Sequence, residues 1–168
     1  AGGSDGTGGV KMMVCQVFDS RASSSAVADF GAALVYAADR GASIAQCSWG
    51  MGMAGDEDVA VSEAVRYFTA NGGGEKMNGG LCIFAAGNNG EEGDFYPGCL
   101  AEAVAVGALA SDGSVAYYSN RGAWVDVTAP GGLMDSGQQY GVLSTLPGST
   151  YGYNEGTSMA CPHVSGIA

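Results

Sequence analysis

Residues 81–90 read LCIFAAGNNG, six apolar residues in a row followed by a glycine–asparagine turn. A run this short and continuous suits a strand covered on both faces, the habit of parallel sheets. Asn-Asn-Gly is good turn chemistry, so the chain is expected to leave the strand's carboxyl end abruptly. Working back, Asp56, Glu57 and Asp58 precede Val61, Ala64, Val65 and Phe68, and Asn71 with the glycines at 72–74 follows. Acidic residues in a first turn suit the positive end of a helix, so a helix is expected with residues 56–58 in its first turn and its end at Asn71 and the glycines. Residues 43–49, SIAQCSW, predict another strand. Residues 22–40 predict a helix on Val27, Phe30, Leu34 and Ala38, closed by Gly41, and residues 10–18, VKMMVCQVF, predict a strand. Downstream, residues 103–109, 124–129 and 142–146 are further strand candidates, and a helix is expected from Met159 onward. Strand and helix alternate, which argues for an α/β fold with a mostly parallel sheet flanked by helices. Functional residues in such sheets gather at the carboxyl ends of strands, here the loops after 49 and 86.

The 168 residues are enough for one domain with a core, so residues 1–168 are treated as a single domain. A formal net charge of −11 argues against nucleic-acid binding and against anionic membranes. No stretch has the roughly 18 apolar residues of a membrane span. Thirty glycines, scattered rather than periodic, point to tight turns and close backbone approach. The five cysteines (Cys15, Cys47, Cys82, Cys99, Cys161) form no CxxC pair, so zinc spacing is absent. Cys15, Cys47 and Cys82 lie in apolar runs and are expected to be buried thiols, and a disulfide at Cys99 stays open. The glycine-rich opening GGSDGTGG has neither a preceding strand nor a G-K-[ST] ending, so it is not a phosphate-binding loop.

Residues 156–166, GTSMACPHVSG, carry the strongest chemical signal. A serine after small residues at a helix start stands where backbone N–H groups favour developing negative charge. From the pattern alone, a nucleophile turn and a helix-capping serine fit equally. The stretch resembles the GTSMAxPHVxG signature around the nucleophile of subtilisin-like serine proteases. AAGNNG at 85–90 is similar to that family's oxyanion-hole segment, and SIAQCSWG at 43–50 to the strand that lines its substrate groove. YP at 96–97, AVAVGA at 103–108 and YSNRGAWVDVTAPGG at 118–132 also look like the family, in family order.

The resemblance implies a subtilisin-like three-layer fold and an endopeptidase that works through an acyl-enzyme. Ser158 corresponds to the nucleophile, Asn88 to the oxyanion donor beside the Ser158 N–H, and Thr157 to a residue supporting that hole. Ser48, Trp49 and Gly50 would offer backbone groups to an extended peptide. Ala85, Ala86 and Gly87 would form the other wall of the primary pocket. Phe95 stands where relatives often carry a small residue, which implies a shallower pocket and smaller side chains before the scissile bond. The family needs no cofactor for catalysis. Structural calcium occurs in it, but no segment here names a metal site. Protein or peptide substrates and a secreted or cell-envelope location are implied in the same way.

A serine of this kind needs a base and a group to orient it. The family's aspartate and histidine motifs, which precede the matched segments, are absent from these residues. His163 is the single histidine, five residues after Ser158. On a helix of 3.6 residues per turn it lies about 140° around from the serine, so it is expected to be structural. Asp19 follows a strand candidate and Asp126 sits within one, and both are expected to be structural too. The opening stretch resembles the region just after the family's histidine helix, and the last residues fall inside the serine helix. The expectation is therefore an incomplete domain, inactive alone, with an exposed sheet edge open to self-association. The alternative is a non-catalytic, peptide-binding pseudo-protease or scaffold.

Overall fold

The computed structural model describes residues 9–18 and 29–168. Four strands form a parallel sheet in the order β1 (Ile44–Cys47), β2 (Leu81–Ala85), β3 (Ala103–Leu109), β4 (Val127–Pro130). The unbroken apolar run at 81–86 has its cause here. Cys82 and Phe84 point to one face, and Ile83 and Ala85 to the other. Helices α1 (Phe30–Asp39) and α2 (Val59–Asn71) cover the first face through Leu34, Ala38, Val65 and Phe68. Helix α3 (Thr157–Ile167) covers the second through Ala160 and Cys161. The result is the three-layer α/β arrangement expected from the alternating pattern.

Local chemistry sets the helix limits. Asp29 accepts from the Ala32 N–H at 2.8 Å, and Asp58 accepts from Ala60 and Val61 at 2.9 and 3.2 Å, so each caps a helix start. Gly41, at φ +77°, takes the left-handed position after α1. An antiparallel hairpin, β5 (Val142–Leu146) and β6 (Thr150–Asn154), stands apart from the sheet and leads into α3.

Several sequence expectations are corrected. Residues 10–18 are not a strand. They run irregularly, with a single bridge position at Phe18 and with Met12 87% and Val14 86% exposed. Cys15 is accordingly half-buried rather than a strand-core thiol. The first helix begins at Phe30, and the part expected at 22–28 lies outside the described residues, as does Asp19. The strand expected at 124–129 occupies Val127–Pro130, while Trp124 donates its indole N–H to the Gly93 carbonyl at 2.7 Å. The serine helix starts at Thr157 rather than Met159. Cys99 is a free thiol, as are the other four cysteines.

Candidate active site

The site lies at the carboxyl ends of β1 and β2, against the start of α3. A cavity of about 200 Å³ is lined there by Trp49, Gly50, Ala85, Ala86, Gly87 and Phe95, among others. Asn88, Thr157 and Ser158 complete its wall. The cavity brings together the residues singled out from sequence, which span more than a hundred positions, except Ser48, which is outside its lining and bonds Ser158. Met51, Gly52, Asn89 and Tyr96 also line it and were not singled out. Asn89 and Tyr96 lay inside quoted motifs. Met51 and Gly52 follow the strand motif, and no residue chemistry marks them.

Thr157 organises the centre. It is fully buried, its hydroxyl donates to Asn88 Oδ1 at 2.9 Å, and its N–H reaches the same oxygen at 2.8 Å. Two donors on one side leave only the carbonyl oxygen of Asn88 to face them. The Asn88 amide nitrogen is thereby turned the other way, free to donate. The Gly87 N–H closes the set by donating to Thr157 Oγ1 at 3.1 Å. Gly87 holds φ +100° with the Asn120 amide where a Cβ would go, so only glycine fits.

Ser158 is half-buried at the first turn of α3. Its hydroxyl donates to the Ser48 carbonyl at 3.3 Å, and the Ser48 hydroxyl donates to the Ser158 carbonyl at 2.8 Å. The second bond has a cause four residues on. Pro162 sits inside α3 and has no N–H, so it cannot supply the helical donor that the Ser158 carbonyl would otherwise receive. The Ser48 side chain thus braces the nucleophile turn. Gln46 donates to Ser48 Oγ at 2.6 Å and orients it.

Phe95 is 3% exposed and lines the cavity, its ring 6.3 Å from that of Trp124. Trp49 stacks on Phe30 at 4.1 Å and meets Phe84 edge-on at 5.1 Å, which fixes the opposite wall. Tyr96 has its pKa raised, first by the charge of Glu57. His163 is exposed and donates from Nδ1 to the Met159 carbonyl at 2.8 Å, a contact within its own helix. Asp126 accepts from the Ala105 N–H at 2.8 Å and so ties the approach to β4 onto β3. Among the described residues no group of three or more His, Cys, Asp or Glu side chains could hold a metal ion. No helix among them is long and apolar enough to cross a membrane.

Residues 2–168 match the model of the subtilase family of peptidases. Similar curated proteins include "Thermophilic serine proteinase" of Bacillus sp. (strain AK1), 36% identical over 148 residues. That match covers 88% of this chain and 32% of the relative. Thermitase of Thermoactinomyces vulgaris is 36% identical over 135 residues, covering 80% and 42%. Subtilisin Savinase of Lederbergia lenta is 35% identical over 145 residues, covering 86% and 47%. The chain thus spans about a third to a half of the length of these curated relatives. Among solved structures, the prenylagaramide maturation protease PagA superposes with a TM-score of 0.73 at 29% identity. That superposition covers 90% of this chain and 50% of PagA.

Proposed function

Since the chain belongs to the subtilase family, we propose that it forms the nucleophile-bearing part of a serine endopeptidase. Ser158 Oγ attacks the peptide carbonyl carbon and the C–N bond breaks. The amine leaves with a proton, and water then hydrolyses the Ser158 ester. The developing oxyanion is met by the Asn88 amide and the Ser158 N–H at the head of α3. The observation that carries this reading is the double hold of Thr157 on Asn88 Oδ1, which leaves the amide nitrogen as a preorganised donor. Trp49 and Gly50 offer backbone to an extended peptide, and Ala85, Ala86 and Gly87 form the facing wall. Phe95, placed at the pocket base on this reading, favours smaller side chains before the scissile bond. Substrates are proteins or peptides, and we place the parent outside the cytoplasm, as subtilisin-like proteases generally act there.

The 168 residues alone do not carry out this cycle. Their single histidine is held within its own helix, and among the described residues no aspartate–histidine pair stands beside Ser158. On this reading the chain by itself binds extended peptides without cutting them, and a polypeptide that adds the aspartate and histidine motifs cuts. The experiment is labelling with a fluorophosphonate probe, with Ser158→Ala as control. Labelling at Ser158 is expected only in the triad-complete polypeptide. Labelling of the 168-residue chain would overturn its inactivity, and no labelling of the triad-complete form would overturn the peptidase reading.

A further inference from the structure

One short segment, residues 116–121, touches both halves of the candidate site. It is anchored to the sheet from beneath. The Ala116 N–H donates to the Ala108 carbonyl at 2.9 Å, and Ser119 Oγ accepts from the Ala108 N–H at 3.1 Å. Tyr118, Ser119 and Asn120 are 8%, 0% and 1% exposed, so these three side chains are inside the protein, while Tyr117 and Arg121 face outward. Buried polar groups of this kind are costly unless each finds partners. Ser119 finds its partners within the sheet and its own segment, whereas those of Tyr118 and Asn120 include the turns of the site.

Tyr118 serves the nucleophile turn. Its hydroxyl donates to the Gly132 carbonyl at 2.6 Å and accepts from the Gly156 N–H at 3.1 Å. Gly156 is the residue before Thr157, held at φ +140°. Burial pushes the Tyr118 phenol up to about 12, so it keeps its proton and stays a donor to Gly132. Asn120 serves the oxyanion loop. Its amide nitrogen donates to the Ala86 carbonyl at 3.0 Å and to Asn89 Oδ1 at 3.3 Å. Its Oδ1 accepts from the N–H groups of Asn89 and Glu91 at 2.9 and 3.3 Å. The backbone repeats the pattern, with Gly90 N–H on the Tyr118 carbonyl at 2.7 Å and Asn120 N–H on the Gly87 carbonyl at 3.0 Å.

We infer that Tyr118 and Asn120 are positioning residues that couple the turn before Ser158 to the loop carrying Asn88. This rests on the reading of Ser158 and Asn88 as nucleophile and oxyanion donor. Neither side chain reaches the reacting atoms. Each holds one half of the oxyanion site, and the two lie two residues apart on an anchored strut, so the halves keep a fixed separation. A displacement of either half is transmitted to the other through 118–120 as well as through the Thr157–Asn88 contact.

The test is ¹⁵N NMR of the 168-residue chain, with Tyr118→Phe, Asn120→Ala and the double variant. Val65→Ala, in the core on the other face of the sheet, is the control for general loss of stability. Tyr118→Phe is expected to shift the Asn88 side-chain amide and the Gly87 N–H as well as Gly156. Asn120→Ala is expected to shift the Ser158 and Gly156 N–H groups as well as Asn89 and Glu91. Amide exchange at the directly contacted positions should rise by up to about tenfold, the size of one net hydrogen bond. Effects in the double variant should be non-additive. Val65→Ala should lower the unfolding midpoint and leave these signals in place. If Asn120→Ala does not fold, Tyr118→Phe, which removes one oxygen atom, still reports the cross-effect. Shifts confined to each variant's own loop, or equal shifts in Val65→Ala, would overturn the coupling. These signals need no hydrolysis. Intact coupling beside a triad-complete polypeptide that fails to cut would overturn the peptidase reading alone.

Discussion

The Ser48 hydroxyl donates to the Ser158 carbonyl at 2.8 Å, the carbonyl that Pro162 leaves without its helical partner. Ser48→Ala should therefore orphan a half-buried carbonyl and destabilise the chain by about 1–3 kcal/mol. Pro162→Ala returns an N–H to the helix, so in that background Ser48→Ala should cost less. Urea unfolding of the four proteins gives the coupling. Equal cost in both backgrounds would mean that the proline and the Ser48 hydroxyl are unrelated.

Asn88 separates two roles that its atoms perform apart. Its oxygen holds the buried Thr157, and its nitrogen is left to donate. Asn88→Asp keeps the acceptor and loses the donor, whereas Asn88→Ala loses both. Stability should rank wild type close to Asp and above Ala. Peptide hydrolysis by a triad-complete polypeptide should fall by about 10²–10³ in Ala, a magnitude established in subtilisin itself, and further in Asp, whose charge repels the oxyanion. Thermal unfolding and kcat together read both orders.

The buried thiols make a pH prediction with a definite sign. Burial pushes Cys82 up to about 12 and raises Cys47 and Cys161 as well. Tyr118 is likewise held at about 12. Groups whose folded pKa lies above the unfolded value of about 9 for the thiols or 10 for the phenol lose stability as pH rises through that interval. The contribution of these groups should hold constant below pH 9 and be lost between about 9 and 12. In the native state at pH 8 a thiol reagent should modify Cys15 and Cys99 and spare the other three, and all five should react in denaturant. Rapid native modification of Cys161 would show that the face under α3 is open.

Phe95 can be tested through its volume. Phe95→Ala removes a ring that is 3% exposed, so it should cost about 3–5 kcal/mol by cavity formation. In a triad-complete polypeptide the same change should move the cleavage preference toward larger side chains before the scissile bond. A peptide-library profile that is unchanged would separate Phe95 from specificity.

The edge of β1 offers a prediction about assembly. Among the described residues β1 pairs only with β2, and we propose that its other side takes up a further strand from a second copy. Concentration-dependent association should appear in light scattering and should weaken with Gln46→Pro. A monomer at every concentration would remove the edge from consideration.

The legible parts of the sequence were those whose reading depended on near neighbours. The sheet strands β1, β2 and β3 and helix α2 follow from apolar runs and caps within a few residues. Residues 10–18 were misread because an apolar run does not by itself make a strand. β6 was missed because TYGYN has only two aromatic positions, is broken by a central glycine and is largely exposed. Ser158, Asn88 and Thr157 were found through motif resemblance. The hydrogen bonds between Thr157 and Asn88, which span 69 residues along the chain, carry no sequence signal. Tyr118 and Asn120 lay in the quoted YSNRG segment, but spacing could not show that one faces Gly156 and the other Asn89.

The β5–β6 hairpin has most of its side chains in water, with Tyr151 73% and Leu143 55% exposed, and it forms its own two-stranded sheet. Such an element opens at far lower free energy than the parallel sheet. It ends at Asn154, two residues before Gly156. Fraying should halt where the Glu155 carboxylate takes the Met134 N–H and Gly156 N–H meets the Gly131 carbonyl. The chain entering the nucleophile turn is therefore a soft tether made fast at a mooring, and thermal motion in the hairpin is damped before it reaches Ser158.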